Sequence, residues 1–321
     1  MYYHATSFKI QALPTNNSAL LRAASRGKAR VYALLGGQGN TTDYLHELSE
    51  LYATYRPLVH DLFVAASHHL QVLAGHSTAI DQFPHGLDVA RWLEDSESAP
   101  STEYLISAPV SFPLIGLLQF VDLEAFLRGI NASPEDFPSL FCGFNGHSQG
   151  VVVAAAAATA TSWAEFQDAA MKALTILFWI GVCSQQTFWD ADVVPSRAAE
   201  VIKCGYRASS PMLAVSNIQQ GQLDKVIKEV NKLLPADLGH IQICLVNCQN
   251  SFVVSGPRPA LVALSDVLRS GTPNTSQHRI SFSQRSPSPS MSFLPVTAPF
   301  HSQLLAYATP LICADVTDIQ I

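Results

Sequence analysis

Charge is scarce in this sequence, and this scarcity limits what the protein can be. Asp, Glu, Lys and Arg make up 14% of the 321 residues, while hydrophobic residues make up 48%. Ordinary soluble domains contain roughly a quarter charged residues, so this chain holds ample apolar side chains for a large core. The composition is typical either of a tightly packed α/β enzyme or of one part of a larger assembly, whose neighbours cover apolar surface.

Basic runs and long apolar runs are also missing. The formal net charge is −6 and no basic stripe with interleaved aromatic residues occurs, which argues against nucleic acid as a partner. The first ten residues lack the apolar run of a signal peptide. The alanine-rich run at 151–161 is too short to cross a bilayer, so we expect no membrane partner.

The six cysteines contain no C-x-x-C pair. Cys244 and Cys248 are four residues apart, but they lie in a predicted strand that holds them too far apart to bridge. Reduced thiols are therefore expected, and they indicate a cytoplasmic location.

The first half of the chain alternates short apolar strands with helices. A strand at 31–35 leads into a glycine-rich loop at 36–40, and a helix is predicted to follow it. A second strand at 140–144 runs into a tight turn and an alanine-rich helix, and a long apolar helix covers 163–186. This alternation is typical of an α/β fold with a parallel sheet covered by helices.

The second half has a different order of elements. The pattern predicts strand, helix, strand, strand, helix and strand at 211–218, 222–234, 241–248, 252–255, 258–269 and 279–282. This β-α-β-β-α-β order is typical of a ferredoxin-like subdomain. A Ser/Pro-rich surface loop at 281–292, a strand at 293–297 and a helix at 303–314 are predicted to follow.

The segment 146–150 matches the nucleophile elbow pattern G-x-S-x-G, with Ser148 at its centre. A serine between a strand and a helix lies on a strained turn that exposes its hydroxyl, and the helix N-terminus directs unpaired N–H groups at it. The amide of Gln149 is then placed to donate to the oxyanion of a tetrahedral intermediate. The alternative is a plain turn that enters a helix.

A serine nucleophile needs a base, and His301 is the best candidate among the eleven histidines. His147 adjoins the serine, but an elbow turn directs its ring elsewhere. His301 follows a predicted strand, a proline and a phenylalanine, which place it on a stiff corner. A Ser–His pair is chemically sufficient to activate the hydroxyl, although a purely structural corner histidine remains the alternative.

The loop at 36–40, GGQGN, follows the first strand and can fold its backbone towards the serine. The amide of Gln38 would then be a second oxyanion donor. Nucleotide binding is disfavoured because the loop lacks both the lysine of a P-loop and the G-x-G-x-x-G spacing.

GGQGN, GHSQG and PFHS in this order resemble the acyl-carrier-protein transacylase family. Residues 31–40, 146–150, 175–182, 245–256 and 293–301 further resemble the acetyltransferase domain at the N-terminus of the fungal fatty acid synthase β subunit. The resemblance covers nearly the whole chain from about residue 28.

The resemblance implies a domain organisation. It comprises a lead-in at 1–28, an α/β-hydrolase-like parallel-sheet core at 29–208 and 284–321, and an inserted ferredoxin-like subdomain at 209–283. Relatives continue the transferase domain with further strand and helix, so we expect the core to be truncated at its C-terminus. The implied partners are acyl carrier protein, the fatty acid synthase α subunit and the other β-subunit domains.

The resemblance also assigns roles to residues. Ser148 matches the acylated nucleophile and His301 its base, and Gln38 and Gln149 match the oxyanion positions. Asn247 matches a residue near the acyl pocket, and Ile180 and His147 complete the residues assigned to substrate binding. No metal or bound cofactor is expected, since acyl-CoA is the substrate and the phosphopantetheine of acyl carrier protein is the acceptor.

Ile180 determines the expected substrate class. Malonyl-specific relatives place an arginine at this position, where it pairs with the free carboxylate, but no arginine or lysine lies between Ala173 and Ser196 here. Holding a carboxylate in an apolar pocket without a cation is costly. An acetyl group or another short uncharged acyl group is therefore expected, transferred by a ping-pong mechanism. The alternatives are a serine hydrolase or thioesterase and a truncated, non-catalytic assembly module.

Overall fold

The computed structural model describes residues 22–24, 26–38, 43–192, 210–234, 240–270, 288–317 and 319. The chain divides into two compact units. The first comprises Met1–Leu105, Pro109–Trp179 and Val316–Ile321, and the second comprises Ile106–Ala108 and Ile180–Asp315. The domain limits proposed from the sequence stay a prediction.

Helices and strands alternate through the first half of the described chain. The elements are β1 (Tyr32–Leu35), α1 (Tyr44–Ala74), α2 (Val89–Glu94), α3 (Thr102–Leu105), α4 (Ala108–Gly129), α5 (Phe137–Leu140), β2 (Gly143–Gly146), α6 (Gly150–Thr159) and α7 (Trp163–Asp192). Short 3-10 turns lie at Ile80–Gln82, Ser96–Ser98 and Pro134–Asp136.

The second half contains β3 (Met212–Ser216), α8 (Gln220–Leu233), β4 (Gln242–Cys248), β5 (Ser251–Ser255), α9 (Arg258–Ser270), β6 (Ser290–Phe293) and α10 (Ala308–Val316). A 3-10 turn at Gln303–Leu305 precedes α10. The helix predicted at 303–314 is therefore divided. Pro310 lies in the first turn of α10, where its missing N–H costs no helical hydrogen bond, so it favours a new helix start there.

In the first unit, β1 and β2 pair in parallel, as the alternation predicts. Tyr32 lies opposite Gly143 and Leu35 opposite Gly146. β2 begins three residues later than predicted because the N–H of Phe141 donates to the carbonyl of Phe137 (2.9 Å) and closes α5 instead. The parallel pair brings the ends of both strands, and the loops that follow them, to one edge.

Helices α4 and α7 form much of the core beside these strands. A Cβ atom on Gly116 of α4 would overlap Leu177 of α7, so the absence of a side chain lets the two helices approach closely. Ala108–Gly129 and Trp163–Phe188 are long and apolar enough to cross a membrane, but their apolar windows are 78% and 61% buried within the protein. Such burial is typical of core helices in a folded domain.

The second unit contains a four-stranded antiparallel sheet in the order β4-β5-β3-β6. Helices α8 and α9 pack on it through a cluster that includes Leu223, Leu261 and Phe252. The strand predicted at 279–282 lies outside the described residues.

The strand predicted at 293–297 is wrong in position. It is found at Ser290–Phe293 and pairs with β3, with Leu213 opposite Phe293. Its last ladder bond runs from the N–H of Leu294 to the carbonyl of Met212 (3.0 Å). Pro295 has no N–H to donate, so the pairing ends there. Part of the predicted Ser/Pro-rich loop is thus strand.

Candidate active site

Ser148 lies on the predicted strand–turn–helix, directly between β2 and α6. Its φ is +54°, in the left-handed region that residues other than glycine rarely adopt. Such strain persists only where the surrounding structure holds it, and it is common at sites of function. The Ser148 side chain is half-buried and thus accessible to a substrate.

Small residues on both sides make this turn sterically feasible. A Cβ atom on Gly146 would overlap the backbone of Gly150 and Val151. A Cβ atom on Gly150 would overlap the carbonyl oxygen of Leu35 at the end of β1. The two glycines of the elbow are therefore required by close backbone approaches.

Helix α6 begins two residues after Ser148, at Gly150. The N–H groups of Gly150, Val151 and Val152 donate within the turn to the carbonyls three residues before them, at 3.0–3.1 Å. The N–H of Gln149 comes directly before these three, at the position an oxyanion donor would occupy. The Gln149 side chain is buried, and its amide has no hydrogen-bond partner among the described residues.

The described part of the glycine-rich loop lies against the elbow. A Cβ atom on Gly37 would come within 2.8 Å of the Ser148 Cβ and 2.9 Å of the His147 carbonyl oxygen. Only a glycine allows this approach. The loop therefore lies beside the nucleophile candidate, as the oxyanion role of Gln38 requires.

Two polar side chains of α4 hold this loop, and the sequence patterns indicated neither. Gln119 Nε2 donates to the Gly36 carbonyl (2.8 Å), and Gln38 Nε2 donates to Ser111 Oγ. Because the Gln38 side chain points to α4, only its backbone N–H remains a candidate oxyanion donor. The available signal was the presence of Ser111 and Gln119 in the otherwise apolar stretch 108–121 of α4.

His147, assigned to substrate binding, is exposed. The backbone N–H of His147 donates to the carbonyl of Leu35 (2.9 Å). The ring Nδ1 lies 3.3 Å from the position that a Cβ atom on Gly37 would occupy. The ring thus faces the glycine-rich loop, and its assigned role stays a prediction.

His301 lies in the second unit, on a backbone corner between β6 and the 3-10 turn. Its φ is +60°, so it shares with Ser148 the unusual left-handed conformation. Ser302 Oγ donates to the Pro299 carbonyl (2.6 Å) and the N–H of Phe300 donates to the Ala298 carbonyl (3.0 Å), which closes the corner. The His301 side chain is exposed. The pairing of Ser148 with His301 stays a prediction.

The two other residues assigned to the acyl pocket also lie in the second unit. Ile180 is partly buried on α7. Asn247 is exposed on β4 at an irregularity in its pairing with β5, between Val246 and Cys248. Such bulges redirect a side chain and occur often beside active sites.

Cys183 on α7 offers no competing nucleophile. Burial, together with Asp315 3.5 Å from its sulfur, raises the pKa of the Cys183 thiol to about 12. The thiol therefore stays protonated at neutral pH, and a protonated thiol is a poor nucleophile. Among the described residues, no group of three or more His, Cys, Asp or Glu side chains could hold a metal ion.

Comparison with known families identifies the family of the chain. The family model described as "Starter unit:ACP transacylase in aflatoxin biosynthesis", where ACP is acyl carrier protein, matches residues 33–301. The match begins in β1 and ends at His301. The chain belongs to the starter unit:ACP transacylase family.

Relatives of this transacylase-family chain include fungal fatty acid synthase β subunits. It is 40% identical over 324 residues to fatty acid synthase beta subunit aflB of Emericella nidulans, covering 100% of this chain and 15% of that protein. It is 39% identical over 303 residues to fatty acid synthase subunit beta of Saccharomyces cerevisiae, and the match covers 94% of this chain and 15% of that protein. The chain thus spans about 15% of the length of these relatives, and the predicted resemblance is confirmed.

Solved structures share the fold of this transacylase-family chain. The loading acyltransferase of the avermectin modular polyketide synthase matches at a TM-score of 0.57 and 17% identity, covering 90% of this chain and 68% of that one. MCAT from Streptococcus pneumoniae matches at a TM-score of 0.53 and 19% identity, and the match covers 90% of this chain and 70% of that one. At these identities the likeness shows the fold alone, an α/β fold with mixed sheets.

Proposed function

We propose that this chain transfers an acetyl group, or another short uncharged acyl group, from CoA to acyl carrier protein through an ester on Ser148. The observation that carries the proposal is the strained conformation of Ser148 with Gly37 packed directly against it. A plain turn into a helix needs neither the strain nor the neighbouring glycine-rich loop. Their combination is what an exposed nucleophile beside two backbone donors requires.

The first half-reaction forms the acyl-enzyme. His301 accepts the hydroxyl proton of Ser148 while Oγ attacks the thioester carbonyl carbon, and the N–H groups of Gln149 and Gln38 stabilise the resulting oxyanion. The carbon–sulfur bond then breaks, and the departing CoA sulfur takes the proton from His301. The products are CoA thiol and an acyl ester on Ser148.

The second half-reaction reverses these roles. The phosphopantetheine thiol of acyl carrier protein gives its proton to His301 and attacks the ester carbonyl. When the carbon–oxygen bond breaks, Ser148 recovers the proton from His301 and the acyl group leaves as a thioester on the carrier. Apolar surroundings favour this outcome because water would otherwise hydrolyse the ester.

Two finer features of the fold belong to this proposal. The sheet order β4-β5-β3-β6, with helices after β3 and β5, supports a ferredoxin-like subdomain. The parallel pair of β1 and β2, with helices following, supports an α/β-hydrolase-like core.

The relatives suggest a setting for this activity. Because they are fatty acid synthase β subunits, we propose as partners acyl carrier protein, the synthase α subunit and the remaining β-subunit domains. The acyl group transferred would prime synthesis of a fatty acid or of a secondary metabolite made from one. A cytoplasmic location and the absence of a bound cofactor stay predictions from the sequence.

Intact-protein mass tests the proposal. After brief incubation with acetyl-CoA, the protein is expected to gain the mass of one acetyl group, and acyl carrier protein added afterwards is expected to remove it. Malonyl-CoA, whose carboxylate meets no cation at Ile180, is expected to load at least about tenfold more slowly. Rapid release of free acetate without transfer would indicate a hydrolase, and a folded protein that gains no mass would indicate a non-catalytic module.

Ile180→Arg is expected to shift the preference towards malonyl-CoA. A guanidinium at this position would pair with the malonyl carboxylate, and charge-assisted pairs of this kind favour the anion by about 1.5–3 kcal/mol, or roughly tenfold or more. The measurement is the ratio of malonyl to acetyl loading rates. Thr175→Arg, five residues earlier on α7, is the control for a cation elsewhere on the helix. An unchanged ratio in Ile180→Arg would contradict the pocket assignment.

A further inference from the structure

The corner that bears His301 needs support from outside itself. A residue other than glycine at φ +60° costs of order 1–3 kcal/mol and persists only where neighbouring contacts fix the backbone. The hydrogen bonds at Phe300 and Ser302 lie within the corner and close it. Bonds made by the residues just before the corner can attach it to other elements of the unit.

Thr297, four residues before His301, provides that attachment. Its hydroxyl donates to Oε1 of Gln185 on α7 and accepts from the N–H of Ala108 at the start of α4 (2.9 Å). One hydroxyl thus connects the corner to Ala108 and Gln185, which both belong to the second unit. Both its donor and its acceptor capacity are used, which fixes its orientation.

Burial of the Gln185 side chain costs stability, which a merely structural role does not explain. It is 0% exposed, and its Nε2 has no hydrogen-bond partner among the described residues. A buried amide with an unmet donor costs about 1–3 kcal/mol, whereas an apolar side chain of the same shape can be neutral or stabilising. Packing alone therefore favours an apolar residue at this position.

We propose that Gln185 and Thr297 are positioning residues for the imidazole of His301. Their hydrogen bond fixes the backbone just before the corner, and the corner in turn orients the imidazole of His301. This inference rests on the proposed function, in which His301 takes the proton of Ser148. Neither side chain contacts the reacting atoms in this role, so both act on the rate only through the placement of the base.

Thr297→Val tests the pair by removing the hydroxyl while keeping the side-chain shape. A displacement of about 1 Å can cost on the order of 100-fold in rate, so the rate constant for acyl-enzyme formation from acetyl-CoA is expected to fall about 10- to 100-fold. The acetyl-CoA concentration giving half the maximal rate is expected to stay within about twofold, because substrate binding is not disturbed. Thr297→Ser, which restores the hydroxyl, is expected to recover most of the rate.

Thr175→Val is the matched control. The Thr175 hydroxyl also lies on α7, is hydrogen-bonded to His69 Nε2 (2.7 Å), and donates to the Met171 carbonyl (2.9 Å). Its loss should lower the melting temperature as much as the loss at Thr297 does, but leave the acylation rate of the folded protein unchanged.

Gln185→Met keeps the inference testable if Thr297→Val does not fold. It removes the unmet amide and is expected to fold as stably as the original chain, yet to slow acylation about as much as Thr297→Val. Normal acylation in Gln185→Met, or in folded Thr297→Val, would overturn the inference and leave the proposed function intact. A failure of the unsubstituted protein to acylate would instead refute the proposed function.

Discussion

Ser148→Ala is expected to yield a folded protein that gains no mass on incubation with acetyl-CoA. The substitution removes the oxygen that forms the ester. The Cys183 thiol cannot replace it at neutral pH, because burial raises its pKa to about 12. Ser139→Ala, which removes an exposed hydroxyl bonded to the Asp136 carbonyl (2.9 Å), is the matched control and should acylate normally. A retained acetyl adduct in Ser148→Ala would exclude Ser148 as the acylated residue.

Ser148→Gly adds a measurement of the elbow itself. A left-handed conformation costs an L-residue roughly 1–2 kcal/mol, and glycine avoids this cost. Part of this gain in stability is lost because glycine has more conformational freedom in the unfolded chain. Urea unfolding is therefore expected to show Ser148→Gly more stable than Ser148→Ala by about 0.5–1 kcal/mol. An equal or lower stability of the glycine variant would mean that the turn at φ +54° is not strained.

His301→Asn is expected to slow acyl-enzyme formation by about 100- to 10,000-fold, the usual contribution of general-base catalysis. Asparagine tolerates a left-handed backbone better than most residues, so the corner at φ +60° should survive while the base is lost. The rate constant is measured by quenching at intervals and recording the fraction of acylated protein.

His76→Asn is the control for His301→Asn. His76 makes an edge-on contact with the Trp179 ring (5.3 Å between centroids) and a hydrogen bond to Thr78 (3.0 Å), neither of which the mechanism uses. Its acylation rate should match that of the unsubstituted protein. A rate for His301→Asn within a few-fold of this control would remove His301 from the mechanism.

Local sequence patterns predicted the elements around the elbow, but they did not predict contacts between residues that are distant in the chain. The strand before Ser148 and the helix after it follow from an apolar run, small residues and an alanine-rich segment that adjoin one another. The position of β6 depends on its pairing with β3 across more than 70 residues of chain, and an apolar run alone did not locate it.

The polar supports of the candidate site were missed for the same reason. Gln38 and Ser111 are 73 positions apart, Gly36 and Gln119 are 83 apart, and Gln185 and Thr297 are 112 apart. No local pattern pairs any of these residues with its distant partner. Only the fold brings the donors and acceptors together, so a motif such as GGQGN or PFHS indicates candidate site residues without indicating which residues support them.

The attachment of the glycine-rich loop to α4 has a consequence for protein engineering. Residues 36–38 owe their placement to Ser111 and Gln119, which lie far along the chain. Grafting the short motif into another transferase would transfer its sequence but not its backbone conformation. A working chimera would have to exchange the loop and α4 together as one piece, with its crossover points outside both.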